Sequence, residues 1–153
     1  MSTQSSNKRA GRLALLILLG ALFSGCSAQS STLAGLLDGS LAFKVCDAIA
    51  VDTIVVSKFS TADTSNPDLT EVWVASGTGQ SLPAGSVVVL GQAPSGFTVD
   101  VPYTEGTIDF ARDGVVISLL QVGGNNDVAQ FNLTELKEGY WTDMAGATAQ
   151  DWC

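Results

Sequence analysis

The side chains that could do chemistry in this chain are almost all carboxylates, because the sequence contains no histidine. Aspartate and glutamate number 15 against 7 lysines and arginines. Without an imidazole, Ser-His-Asp catalysis, Cys-His catalysis and histidine ligation of metals are all excluded. The chemistry that remains is oxygen ligation of a cation, or hydrolysis of a sugar bond by two acids.

One acidic cluster has the donor types of a calcium site. Asp63, Asp68 and Glu71, with Asn66 between them, present oxygen atoms that could ligate Ca²⁺ from one loop. The spacing differs from that of a known calcium loop and lacks its central glycine, so a solvated acidic loop is the alternative. We expect no metal site and no cofactor.

The three tryptophans offer a second possible site. Trp73, Trp141 and Trp152 could together form a platform on which a sugar ring stacks. Trp73 lies between Val72 and Val74, which favours a place in the core. Core packing is therefore the preferred interpretation, and the sugar platform is the alternative.

The amino-terminal segment has the composition of a signal peptide. Lys8, Arg9 and Arg12 form a basic region, and residues 13–23 follow as an uncharged apolar run of 11 residues. A membrane-spanning helix needs about 20 apolar residues, so this run is too short to span. Its length is that of the hydrophobic part of a secretory signal.

The residues that follow resemble the lipobox of bacterial lipoproteins. The small residues Ser24 and Gly25 precede Cys26, while Phe23 stands where the family more often has Leu or Val. The resemblance implies cleavage between Gly25 and Cys26 and a diacylglyceryl group on Cys26. The protein would then be held on the extracytoplasmic side of the cell membrane by its lipid. An ordinary secretory signal with an incidental cysteine is the alternative.

The resemblance divides the chain into three parts and sets its charge. Residues 1–25 form the cleaved signal, residues 26–40 the lipidated cysteine with a short tether, and residues 41–153 one domain. Loss of the three basic signal residues leaves 4 basic against 15 acidic residues, a net charge of −11. Such a surface repels phosphate, so nucleic acid is excluded as a partner.

The two remaining cysteines predict one disulfide. With Cys26 assigned to the lipid, Cys46 and Cys153 are an even pair in an exported domain. Unpaired thiols and a bond between two molecules are the alternatives.

The sequence of the domain predicts an all-β fold. Short runs rich in β-branched and aromatic residues alternate with turn residues, and no long segment keeps the 3.6-residue period of a helix. Residues 32–39 are expected to hold one turn of helix. The pattern predicts an antiparallel two-sheet sandwich, whose strands are expected at residues 41–46, 50–59, 71–75, 86–90, 97–103, 114–122, 128–133 and 139–141. The turn residues 123–127 predict a hairpin between the strands at 114–122 and 128–133. Residues 87–90 are apolar on both faces of the expected strand, which predicts a central or covered position.

Residues 133–141 are similar to the corner that enters a late strand of immunoglobulin-like and fibronectin-like sandwiches. The resemblance implies that Leu136 is buried and that the Tyr140 hydroxyl caps a nearby backbone group. It favours immunoglobulin-like architecture, without implying an immunoglobulin function.

These observations favour a lipid-anchored, non-catalytic module that binds an envelope protein or a glycan. We expect no catalytic residues. A small carboxylate hydrolase acting on a wall polymer or sugar is one alternative, and it predicts two acids within ~10 Å in an aromatic cleft. A passive spacer is the other, and it predicts no pocket.

Overall fold

The chain folds into two antiparallel sheets of five strands each. The computed structural model describes residues 30–62 and 68–153. A short 3₁₀ helix, Leu133–Glu135, follows the eighth strand. The strands are β1 (Thr32–Leu37), β2 (Ser40–Val45), β3 (Ile49–Ser60), β4 (Thr70–Leu82), β5 (Val87–Val89), β6 (Thr98–Val101), β7 (Asp113–Leu120), β8 (Asp127–Asn132), β9 (Trp141–Thr142) and β10 (Thr148–Ala149).

The strand order within each sheet differs from the order along the chain, because the chain crosses between the two sheets. One sheet, sheet A, has the order β10-β9-β1-β2-β5, and the other, sheet B, has the order β6-β4-β3-β7-β8. The first, second and fifth strands therefore lie together, and the third lies between the fourth and the seventh. β6, β9 and β10 extend the edges. The predicted sandwich and the predicted β7–β8 hairpin are confirmed.

The core lies between the sheets and follows from the two-residue period of the strands. On β7, Val115, Ile117 and Leu119 are fully buried and alternate with residues that are only partly buried. Trp73 on β4 is the largest fully buried side chain, which confirms its place in the core.

A second, smaller apolar cluster covers the outer face of sheet A. Trp141 packs there with Leu33 and Ala42, and Trp152 packs against the same cluster. The predicted disulfide between Cys46 and Cys153 is present and holds this last segment on the sheet. The ammonium group of Lys44 also donates a hydrogen bond of 2.7 Å to the Trp152 carbonyl.

The expected turn of helix at residues 32–39 is wrong, and the sandwich begins at Thr32 rather than at residue 41. This segment is β1, which pairs with β2 along its whole length, down to Leu37 opposite Ser40. The two residues between them, Asp38 and Gly39, both have positive φ (50° and 74°). An Asp-Gly pair between two apolar runs is typical of a two-residue hairpin turn, so the signal was in the sequence.

Two finer predictions are also wrong. The apolar run at residues 87–90 suggested a strand covered on both faces, yet β5 is an edge strand and Val87 is 45% exposed. Leu136 is buried as expected, but Tyr140 is exposed and its hydroxyl has no hydrogen bond to the described residues. The corner leaves β8 of sheet B and enters β9 of sheet A, and the Tyr140 side chain stays on the surface.

Several predictions fall outside the described residues. These are the signal at residues 1–25, cleavage at Gly25, lipidation at Cys26, and the Asp63 and Asn66 members of the acidic cluster. Within residues 30–62 and 68–153, the structure contains no helix long and apolar enough to cross a membrane.

Candidate ligand groove

The sandwich has two ends with different chemistry. The hairpin end carries the turn at residues 121–126 between β7 and β8, and β1 begins there, because Thr32 donates a hydrogen bond of 2.8 Å to Asp127 at the start of β8. The groove end lies in the other direction along the strands, where β3 and β8 end. Along sheet B the six residues of β8 separate the two ends by about 20 Å, whereas on sheet A Thr142 lies opposite Ala34, two residues along β1 from Thr32.

A groove of about 480 Å³ opens at the groove end between the edges of the two sheets. Sheet B contributes Phe59 from β3 and Phe131 from β8, and both rings are buried in its floor. Phe59 lies directly against Gly114, where any side chain would collide with the ring. On the sheet A side, Thr142 and Asp143 line the groove.

Thr142 is the most unusual residue in the groove. It pairs with Ala34, an inner-face core residue, while its neighbour Trp141 packs on the outer face of sheet A. The Thr142 side chain therefore points between the sheets, where the groove opens. It is 2% exposed, and its Oγ1 has no hydrogen-bond partner among residues 30–62 and 68–153. A buried hydroxyl without a partner costs free energy, so this one has an unused capacity to bind.

Two carboxylates line the same groove. Glu135 is placed by the 3₁₀ helix, whose first turn is capped by the Asn132 side chain. Its carboxylate accepts one long hydrogen bond of 3.5 Å from the Asn132 amide. The Asp143 Oδ1 accepts hydrogen bonds of 2.9 Å from the backbone N–H groups of Ala145 and Ala147, which fixes the β9–β10 turn. Glu135 and the second oxygen of Asp143 therefore keep accepting capacity.

At the hairpin end, by contrast, both oxygens of a carboxylate already accept hydrogen bonds within the fold. Asp52 accepts hydrogen bonds of 2.8 Å from the N–H groups of Gly79 and Val122, one on each oxygen. The Gly79 N–H, and after it the Val122 N–H, lower the pKa of Asp52 below its ordinary value, because both stabilise the ionised form. A second cavity, of about 540 Å³, lies at this end beside Asn126, whose side chain accepts a hydrogen bond from Gln121.

The structure does not assemble the sites suggested by the sequence. Within the described part of the chain, no three acidic or cysteine side chains are grouped to hold a metal ion, and Asp68 and Glu71 are both exposed. The tryptophan platform is wrong, because Trp73 is inside the sandwich while Trp141 and Trp152 lie on the outer face of sheet A.

Sequence reasoning missed the groove because its residues come from distant segments. Only local signals were available: an Asn-Leu-Thr-Glu start of a helical turn at residues 132–135, and an Asp-x-x-Gly turn at 143–146. These signals predict where Glu135 and Asp143 sit on the chain, but not that they meet Phe59 and Phe131. Comparison of the chain with protein-family models, curated proteins and solved structures found no match to any of them.

Proposed function

We propose that this chain is a lipid-anchored, non-catalytic module of a bacterial cell envelope that binds its ligand in the groove. The single observation that carries the proposal is the buried Thr142 hydroxyl, which has no partner among residues 30–62 and 68–153 and belongs to a groove of about 480 Å³. The indole N–H of Trp73 also lacks a partner in these ranges, but Trp73 lies in the core and does not line the groove. A passive spacer has no need of an unpartnered hydroxyl at a groove, since replacing it by a methyl group would remove its cost.

The position of the groove suits a protein anchored at Cys26. Thr32 lies six positions after Cys26 in the sequence, a reach of at most about 20 Å. The hairpin end, where β1 begins, would thus lie near the membrane, and the part of the groove at the ends of β3 and β8 would lie at the far end of sheet B. The disulfide is consistent with an exported protein, because such bonds persist in oxidising compartments.

The anchor is tested by fractionation. Cys26→Ala is expected to move the protein from the membrane fraction to the soluble fraction, because two or three acyl chains are needed for durable attachment. Cys46→Ala removes a cysteine without touching the lipidation sequence and serves as the control. Continued membrane association of Cys26→Ala would contradict the anchor.

The binding role is tested by photo-crosslinking in native envelopes, followed by recovery of the full chain. Gln130 lines the groove with an exposed side chain, so Gln130→Arg is expected to abolish a specific crosslinked product by filling the groove. Gln92→Arg adds the same charge at an exposed position outside the groove. Equal crosslinking by both variants would contradict binding at the groove.

A carboxylate hydrolase remains the second candidate because Glu135 and Asp143 line one groove. Two features weigh against it. The Asp143 Oδ1 is occupied by two backbone N–H groups, and the Phe59 and Phe131 rings are only 6% and 3% exposed, so no aromatic face lies open for a sugar. Release of sugar from wall polymer by the purified chain, lost in Glu135→Gln, would favour the hydrolase over the binding module.

A further inference from the structure

The free acceptors of the groove match the donors of one chemical group. Glu135, Thr142 and Asp143 all line the groove, and each keeps an oxygen atom that can still accept a hydrogen bond. A primary ammonium group carries three N–H donors and no acceptor. Such a group suits this set of acceptors, whereas an anion would meet two carboxylates.

The groove also has an apolar part. Phe59 and Phe131 form its floor, and Met144, which is 44% exposed, stands at its rim. An alkyl chain lying along the exposed side chain of Met144, at the rim above the buried phenylalanines, would lose part of its contact with water. A ligand with an alkyl stem and a cationic head fits both parts.

The basic residues of the described chain leave the negative charge of the groove uncompensated. None of the groove-lining residues in the described ranges is a lysine or arginine. Lys58 donates to the Thr107 carbonyl at 2.6 Å and pairs with Asp113, and Arg112 pairs with Asp109 at 3.7 Å. Lys44 donates to the Trp152 carbonyl, and neither of the two salt bridges among the described residues includes Glu135 or Asp143. An arriving cation therefore meets carboxylates that form no ion pair within the described part of the chain.

We infer that the groove binds a primary alkylammonium group, with the ammonium at Glu135, Asp143 and Thr142 and the alkyl stem along Met144. The inference rests on the binding role proposed above and names the chemistry of the ligand. The group could belong to a free alkylamine or to a lysine-type side chain of a larger molecule.

The assignment is tested by titrating the full chain with n-pentylamine, n-pentanol and pentanoate in a calorimeter. The amine is expected to bind at least about tenfold more tightly than the alcohol, because hydrogen bonds to charged groups are worth more than neutral ones. Pentanoate is expected not to bind, and added salt should lower the affinity for the amine. Equal affinity for the amine and the alcohol would overturn the inference.

Two variants locate the bound ammonium. Glu135→Gln is expected to lower the affinity for n-pentylamine about tenfold. Glu71→Gln makes the same charge change at an exposed site on β4 and should leave the affinity unchanged. Thr142→Val should weaken the amine several-fold without lowering the melting temperature. Equal losses in Glu135→Gln and Glu71→Gln would place the amine elsewhere and overturn the assignment.

A fourth probe separates the two sources of the ammonium group. Tighter binding of Nα-acetyl-lysine amide than of n-pentylamine supports a lysine-type side chain, and the reverse order supports a free alkylamine. The result is independent of the crosslinking test. Gln130→Arg could abolish the crosslinked product while the amine and the alcohol bind with equal affinity. That result would support binding at the groove and contradict only the assignment of an ammonium group.

Discussion

Two buried threonines on sheet A show how the two ends of the sandwich differ. Thr32 at the hairpin end is 1% exposed, and its hydroxyl donates to the Asp127 carboxylate at 2.8 Å. Thr142 at the groove end is 2% exposed, and its hydroxyl has no partner within the described residues. The two hydroxyls are buried to the same extent, but only that of Thr32 has a hydrogen bond within the described residues. The Thr32 hydroxyl therefore stabilises the fold, whereas the Thr142 hydroxyl lowers its stability.

The carboxylates repeat the same contrast. At the hairpin end, both oxygens of Asp52 accept backbone N–H groups, and Asp127 holds Thr32. At the groove end, Glu135 has only one long hydrogen bond. Polar groups that join strands are thus separated from polar groups that are free to bind a ligand, and functional sites commonly carry such a cost.

The largest effect expected is loss of the covalent link at the hairpin end. Cys46 and Cys153 are 107 residues apart in sequence. A loop of this size stabilises a fold by up to about 4–5 kcal/mol on the chain-entropy model. Cys46→Ala and Cys153→Ala should therefore lower the free energy of unfolding by equal amounts in urea titrations. The double variant should lose no more than either single one, and a larger loss would contradict the pairing.

Removal of the Thr32 hydroxyl should cost less, but in the same direction. Thr32→Val keeps the shape of the side chain and leaves Asp127 without its closest donor, so about 2 kcal/mol of stability should be lost. The double variant with Asp127→Asn should show a coupling energy between the two sites. Additive losses would show that the hydrogen bond contributes little.

The matching substitution at the groove end should have the opposite sign. Thr142→Val removes a buried hydroxyl that has no partner in the described part of the chain, so the free energy of unfolding should rise by up to about 1 kcal/mol. Thermal and urea denaturation would both report the change. A loss as large as that of Thr32→Val would mean that the Thr142 hydroxyl is satisfied within the fold, and the contrast between the two ends would fail.

The smallest expected effect is a change in how the free energy of unfolding falls at low pH. The pKa of Asp52 is lower in the folded chain than its ordinary value, because two N–H groups hold the ionised form. Its contribution to stability is present above the ordinary pKa and is lost as the pH falls through the lower folded pKa. Asp52→Asn should therefore flatten the acid limb of the stability curve, while Asp151→Asn, at an exposed position, should not. Identical acid limbs in the two variants would contradict this role for Asp52.

The sequence predicts those parts of the fold that depend on local chemistry. Gly123 and its neighbours predicted the β7–β8 hairpin, and the cysteine count predicted the disulfide. The Asp38-Gly39 turn carried an equally local signal for β1. The groove could not be predicted in this way, since Thr142 and Phe59 meet only after the two sheets pack. Whether the Thr142 hydroxyl has a partner depends on that packing and not on its neighbours in sequence.

The contact between Lys44 and the last segment of the chain has a practical consequence for labelling. From Ser30 onward the sequence has three lysines, Lys44, Lys58 and Lys137. The ammonium groups of the first two donate to the carbonyls of Trp152 and Thr107, whereas Lys137 is exposed. Acylating reagents should therefore modify Lys137 first. A single dye or biotin placed there would give a uniformly tagged protein for surface immobilisation.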